Sequence, residues 1–166
     1  MKNLWFKYFS MLLTYPSEEW FPELENIEKL LERENKEFYK FSEYLKNFGL
    51  EKLKEEYTKL FISSFPTLPC PPYESYYREG LLFGETSQEV LEYYQRTGYQ
   101  FSKEGEAPDH IAVELEFLAL TEDSQFFKKF EKWFKDFKEC VKKHSSIYGK
   151  IVDFIDKNLK DREKNE

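Results

Sequence analysis

Apolar residues return every three or four positions along most of this chain, the spacing of a helical face. Leu4, Tyr8 and Leu12 make one such stripe, with Trp5 and Phe9 beside it. Tyr15-Pro16 ends it, because a residue before proline avoids the helical backbone. Ser17 is placed to cap a second helix, with Glu18 and Glu19 in the first turn and Leu24, Ile27 and Leu31 on the inner face. Phe38, Phe41, Leu45 and Phe48 predict a third helix closed by Gly49. Leu53, Tyr57, Leu60 and Phe61 predict a fourth.

The pattern then breaks. SSFPTLPCPPYES is too rich in proline for a regular helix and reads as an ordered loop anchored by Phe65, Leu68 and Tyr73. A short helix is expected over YESYYRE before Gly80 and Gly84. SQEVLEYYQRTG, capped by Thr86 or Ser87 and closed by Gly98, is the next. The polar connection YQFSKEGEA leads to PDHIAVELEFLAL, the helix around which the rest is organised. Pro108 suits its first position and Asp109 its first turn. Ile111, Leu115 and Leu118 form the core stripe, and Val113, Phe117 and Leu120 make the other faces apolar too. Glu114 on so apolar a helix needs a partner or a route to water, and His110 lies one turn earlier on the same face. A long aromatic helix from Glu122-Asp123 through Phe127, Phe130, Trp133, Phe134, Phe137 and Val141 follows. A break at His144-Ser145-Ser146 separates it from a last helix with Ile147, Ile151, Ile155 and Leu159. The patterning contains no strand and no repeat. It predicts an all-α bundle of about eight helices, one domain over 1–160, with 161–166 a charged tail.

Composition narrows the function classes. The net charge of −7 argues against nucleic acid, which needs a basic face, and suits a cationic peptide. No apolar run reaches the roughly 20 residues of a membrane span. Lys7 interrupts the apolar start and no small-residue cleavage site follows, so an amphipathic first helix is expected rather than a signal peptide. Aromatic residues at 19% point to helices packed through large rings. The two cysteines, Cys70 and Cys140, imply no disulfide framework. They are expected to be free thiols in a reducing cytoplasm, without metal. Cys140 and His144 do stand at a helical i, i+4 spacing, and with Cys70 and His110 they make four zinc ligands arithmetically. Neither paired-ligand loop of a structural zinc site is present, however, and the Glu-x-x-His pairs of a di-iron bundle are missing. Phosphate-binding loops, nucleophile elbows and dinucleotide fingerprints are missing as well. His110 with Asp109 or Glu114 is a conceivable acid–base pair, but no nucleophile stands beside them, and capping and packing explain them equally well.

CPPYESYY is more specific. Prolines stiffen the approach to Tyr73, Glu74, Tyr76 and Tyr77, and tyrosines give large contact area at low entropy cost. Phe61, CPPYESYY, Gly84, the helix end from Tyr94 to Gly98 and PDHIAVELEFLAL together resemble the TorD-like redox-enzyme chaperone family (TorD, DmsD and NarJ proteins). The paired motifs YES-x-Y and PDH-x-x-x-E-L-x-F carry the resemblance, which covers roughly Tyr57 to Leu120 and extends more faintly to Tyr148. The stretch between Leu120 and Phe126 is shorter than in the family, and the N-terminal third matches in pattern only.

The resemblance implies an all-helical cytoplasmic chaperone without cofactor and not an enzyme. Its partner would be the precursor of a molybdenum-cofactor oxidoreductase, bound through a twin-arginine signal peptide or equivalent N-terminal segment until the cofactor is inserted. Tyr73, Glu74, Ser75, Tyr76, Pro108, Asp109, His110 and Glu114 occupy the family's signature positions. A twin-arginine peptide needs carboxylates beside an apolar groove. Glu74, Asp109 and Glu114 are expected to supply the first, and Tyr73, Tyr76 and Phe117 the second. Monomer and dimer are both compatible, and neither nucleic acid nor stable membrane insertion is expected. Two other functions compete: a structural adaptor subunit of a redox complex, and a small hydrolase using His110 and a carboxylate.

Overall fold

A computed structural model describes the backbone of residues 2–64, 66–101 and 105–164. Phe65, expected to anchor the proline loop, and part of the charged tail lie outside the described residues. Nine α-helices and one π-helical turn are present among the described residues, which contain no named strand. They are α1 (Lys2–Leu12), α2 (Trp20–Glu34), α3 (Phe41–Lys46), α4 (Leu50–Tyr57), α5 (Glu74–Glu79), α6 (Glu85–Thr97), α7 (Ile111–Thr121), α8 (Ser124–His144) and α9 (Ser146–Lys164). The π turn, Thr58–Ile62, continues α4 and closes with Ser63 N–H donating to Thr58 O at 2.9 Å.

The all-α prediction holds, and the helix ends show where local chemistry acts. Gly80 (φ 76°) and Gly98 (φ 83°) end α5 and α6 in the left-handed backbone that a Cβ disfavours. Asp123 caps α8, its carboxylate accepting from Phe126 N–H at 2.9 Å. Gly49, expected to close the third helix, precedes α4 with φ 85°. Ser17 does not cap α2; its hydroxyl donates to Glu19. Pro108 is not the first residue of α7, because the cap is His110, whose Nδ1 accepts from Ala112 N–H at 3.1 Å.

α7 is the central strut. Ile111, Leu115, Phe117 and Leu118 on it are fully buried. It lies along α1, where Ser10 Oγ donates to Ala112 O at 2.7 Å, and it also meets α8. α8 and α9 form a hairpin at Ser145, whose hydroxyl accepts from Tyr148 N–H and donates to Glu56. The core is largely rings. Phe130, Trp133, Phe134 and Phe137 of α8 are buried, and Phe61 and Tyr77 pack on Phe137. Each such side chain contributes about 2–3 kcal/mol through burial.

Sequence patterning gave no hint of Glu28, a buried carboxylate on α2. It accepts from Tyr8 O–H, Ser42 N–H and Ser42 O–H, and so ties α1, α2 and the start of α3 together. Its charge lies against the positive end of α3.

Candidate peptide-binding groove

The two motifs meet through their backbones. Tyr73 and His110 form an isolated antiparallel bridge, with Ile111 N–H donating to Pro72 O at 2.9 Å and Glu74 N–H donating to Asp109 O at 3.1 Å. Proline fits here because only the carbonyl of Pro72 is used. Asp109 is fully buried behind this bridge. Its carboxylate accepts from Ser75 N–H at the start of α5 and from Ser87 O–H on α6, both at 2.9 Å. Ser75 Oγ in turn accepts from Phe83 N–H at 3.2 Å, and Tyr94 O–H donates to Pro108 O at 2.7 Å. Asp109 therefore joins α5, α6 and the entry to α7, and its position is that of a scaffold group rather than of a rim charge.

Glu114 is also fully buried. One carboxyl oxygen accepts from Trp133 Nε1–H at 3.1 Å, while Oε2 has no donor. Burial pushes the Glu114 carboxyl well above its usual range, and the neighbouring Glu74 carboxylate adds to the shift. Two facing carboxylates have no donor between them unless one holds a proton. A proton held by Glu114 supplies that donor. Glu74 is itself buried and accepts from Arg78 at 3.0 Å on its outer side.

A carboxyl whose folded pKa is raised loses stability as pH climbs above its unfolded value, until the folded pKa is passed. Glu114→Gln keeps an acceptor for Trp133 and a donor for Glu74. The variant is expected to melt higher than the parent at pH 8, with a flatter decline of Tm above pH 4.5. Melting curves across pH check this, and an unchanged slope would refute the shared proton.

On the outer side of the bridge lies a groove of about 270 Å³. Ser10, Thr14 and Tyr15 from the end of α1, Tyr57, Phe61 and Ile62 around the π turn, and Tyr73, His110, Ala112 and Val113 line it, with Glu106 and Glu116 on its rim. Tyr73 O–H donates to Glu106 at 2.8 Å, and burial with this carboxylate raises its pKa. Burial lowers the pKa of His110. Its Nδ1 already accepts from Ala112, so the proton sits on Nε2, facing Glu106 at 4.0 Å. Glu116 pairs with Lys7 at 3.1 Å, both half exposed, which a competing cation can displace. Beside Tyr73, whose ring meets Phe83 edge-on at 5.1 Å, Leu81, Leu82 and Phe83 stand exposed in succession. Ile62 is exposed at the other side.

The sequence-derived residues thus divide. Tyr73 and His110 line the groove; His110 is buried, with its ring edge toward it. Tyr76 is exposed on α5, stacked edge-on with Tyr77. Pro108 supplies a backbone carbonyl. Glu74, Ser75, Asp109 and Glu114 lie inside. Phe117 is packed among Tyr94, Tyr99 and Phe126, and contributes to the core rather than to a groove. His110 and Glu114, one turn apart, face different partners. Sequence reasoning missed Glu106, Glu116 and Ile62. Glu106, three residues before Asp109, and Glu116, inside the motif, are the two of these whose acidity offered a signal.

The cysteines are not free thiols: Cys70 and Cys140 are joined by a disulfide. They stand 70 residues apart in sequence, a separation at which no local pattern reports a contact. His144 lies against the pair, and His110, the fourth residue of the arithmetical zinc set, is elsewhere, on the groove.

Comparison with known proteins places these observations in a family. The model of the nitrate reductase delta subunit family matches residues 28–151. A protein of Bacillus subtilis named as a probable nitrate reductase molybdenum cofactor assembly chaperone NarJ is 29% identical over 162 residues, which is 91% of this chain and 85% of that protein. A crystal structure of an Archaeoglobus fulgidus protein named as a putative redox enzyme maturation protein superposes with a TM-score of 0.83 at 35% identity, over 95% of this chain and 93% of that one.

Proposed function

The chain belongs to the nitrate reductase delta subunit family, and from that premise we propose that it is a cytoplasmic assembly chaperone for a molybdenum-cofactor oxidoreductase. It binds the twin-arginine signal peptide, or equivalent N-terminal segment, of the unassembled enzyme and releases it after cofactor insertion. Its work is binding rather than turnover.

The observation that carries this reading is the groove where the two motifs meet. Its floor is aromatic and aliphatic and its rim carries the carboxylates of Glu106 and Glu116. An apolar helical segment preceded by arginines matches both parts. The exposed Leu81, Leu82 and Phe83 extend the apolar surface toward the body of the client. No helix among the described residues is long and apolar enough to cross a membrane.

Calorimetric titration of the full chain with the client's N-terminal peptide tests the proposal. Glu106→Gln combined with Glu116→Gln is expected to leave melting nearly unchanged and to weaken binding at least tenfold, or about 1.4 kcal/mol. The parent's affinity is expected to fall between low and high salt, because exposed rim charges are screened. Unchanged affinity in the double variant and across salt would overturn the acidic rim. No binding by the parent would overturn the function.

A further inference from the structure

Three potential metal ligands converge at the end of α8, away from the groove. Cys70 is fully buried within the proline-rich loop, where its N–H donates to Leu60 O. Cys140 and His144 sit one turn apart on α8, and the sulfur, sulfur and nitrogen atoms lie within 4.8 Å of one another. His144 Nδ1 is 3.8 Å from the sulfur of Cys70 and 3.9 Å from that of Cys140. We propose that the reduced protein uses Cys70, Cys140 and His144 as a three-ligand site for a thiophilic divalent ion of the zinc class, and that the disulfide is the closed form of the same site.

The geometry fits the chemistry. Tetrahedral zinc with metal–sulfur bonds of about 2.3 Å and a metal–nitrogen bond of about 2.1 Å requires sulfur–nitrogen edges of about 3.6 Å. Both observed separations are within a few tenths of an ångström of that value. Only the sulfur–sulfur edge has to open, to about 3.8 Å, once the covalent bond is gone. The set is also at the C-terminal end of a 21-residue helix, where the dipole favours a cation. His144 and part of Cys140 reach solvent, so an ion has an entry path to the buried sulfur.

Each step balances. A dithiol gives two electrons and two protons to the Cys70–Cys140 bond, becomes a disulfide itself and leaves two thiols. The ion then displaces both thiol protons, which go to solvent. Nδ1 of His144 is 2.9 Å from Cys140 O. It gives up that hydrogen bond and ligates in the Nε2–H tautomer. Water or a client side chain completes the fourth position. In either state the proline-rich loop stays fastened to α8.

The test uses the full chain, reduced with a water-soluble phosphine and titrated without oxygen with Co²⁺, then Zn²⁺. One equivalent of Co²⁺ per chain with a thiolate-to-cobalt absorption band, displaced by Zn²⁺, is expected. His144→Ala, which changes an exposed side chain, should bind at least tenfold more weakly. Cys140→Ser and the oxidised parent should lose the band. No saturable band in the reduced parent overturns the proposal. Full affinity in His144→Ala, or equal binding by the oxidised chain, overturns it as well.

Discussion

Reducing the Cys70–Cys140 bond in metal-free protein is expected to lower stability by about 4 kcal/mol. The bond closes a loop spanning a sequence separation of 70, and releasing a loop of that size restores roughly this much chain entropy to the unfolded state. For a chain of this length the loss corresponds to a fall in Tm of about 10 °C. Denaturant or thermal melts of oxidised and phosphine-reduced protein, both in the presence of a chelator, measure it. Cys70→Ser with Cys140→Ser should melt like the reduced parent and be indifferent to reductant. Equal melting of oxidised and reduced parent would show that packing alone fastens the loop. The loss bears directly on the groove, because Cys70 is separated from Tyr73 only by Pro71 and Pro72.

Asp109→Ala is expected to cost about 3 kcal/mol. Removal of the carboxylate leaves the N–H of Ser75 and the hydroxyl of Ser87 without their acceptor. Buried polar groups deprived of partners cost about 1–3 kcal/mol each, although a serine hydroxyl can turn to another acceptor. Asp109→Asn should lose far less, because its amide oxygen still accepts from Ser75 while its NH₂ donates to Ser87. Chemical denaturation of the two variants against the parent separates them. If alanine and asparagine were equally mild, Asp109 would not be the joint between α5, α6 and α7. Peptide affinity in either variant is expected to fall only as far as the fold loosens, whereas the variants of Glu106 and Glu116 should lose affinity at constant stability.

That contrast explains what was legible in the sequence. Helical periodicity located nearly every element, because each helix buries one stripe and the stripe is written in consecutive residues. The motif segments also stood out, and the structure brings Tyr73 against His110. Periodicity does not say what covers a face. Asp109 and Glu114 look like surface acids on paper because their shields, Ser87 and Trp133, come from α6 and α8. The stripe Leu53, Tyr57, Leu60 and Phe61 puts Phe61 inward, and it is buried. Ile62 falls off that stripe and is exposed at the end of the π turn, and only the tertiary structure places it beside the groove. The pairing of Cys70 with Cys140 is a tertiary fact with no local trace.

The packing of α1 on α7 sets a timetable for synthesis. α1 is made before every other described element, yet its main neighbour ends at Thr121. At roughly 5–20 residues per second, α1 waits on the order of 5–20 s for α7 to be translated. During that interval Trp5, Phe6, Phe9 and Leu12, all buried in the finished protein, have no permanent cover. Nascent chains stalled before α7 should therefore aggregate or recruit holding factors, and chains stalled after α8 should not. The shelter proposed here for another protein's N-terminal apolar segment would come from a chain whose own α1 passes through the same exposure.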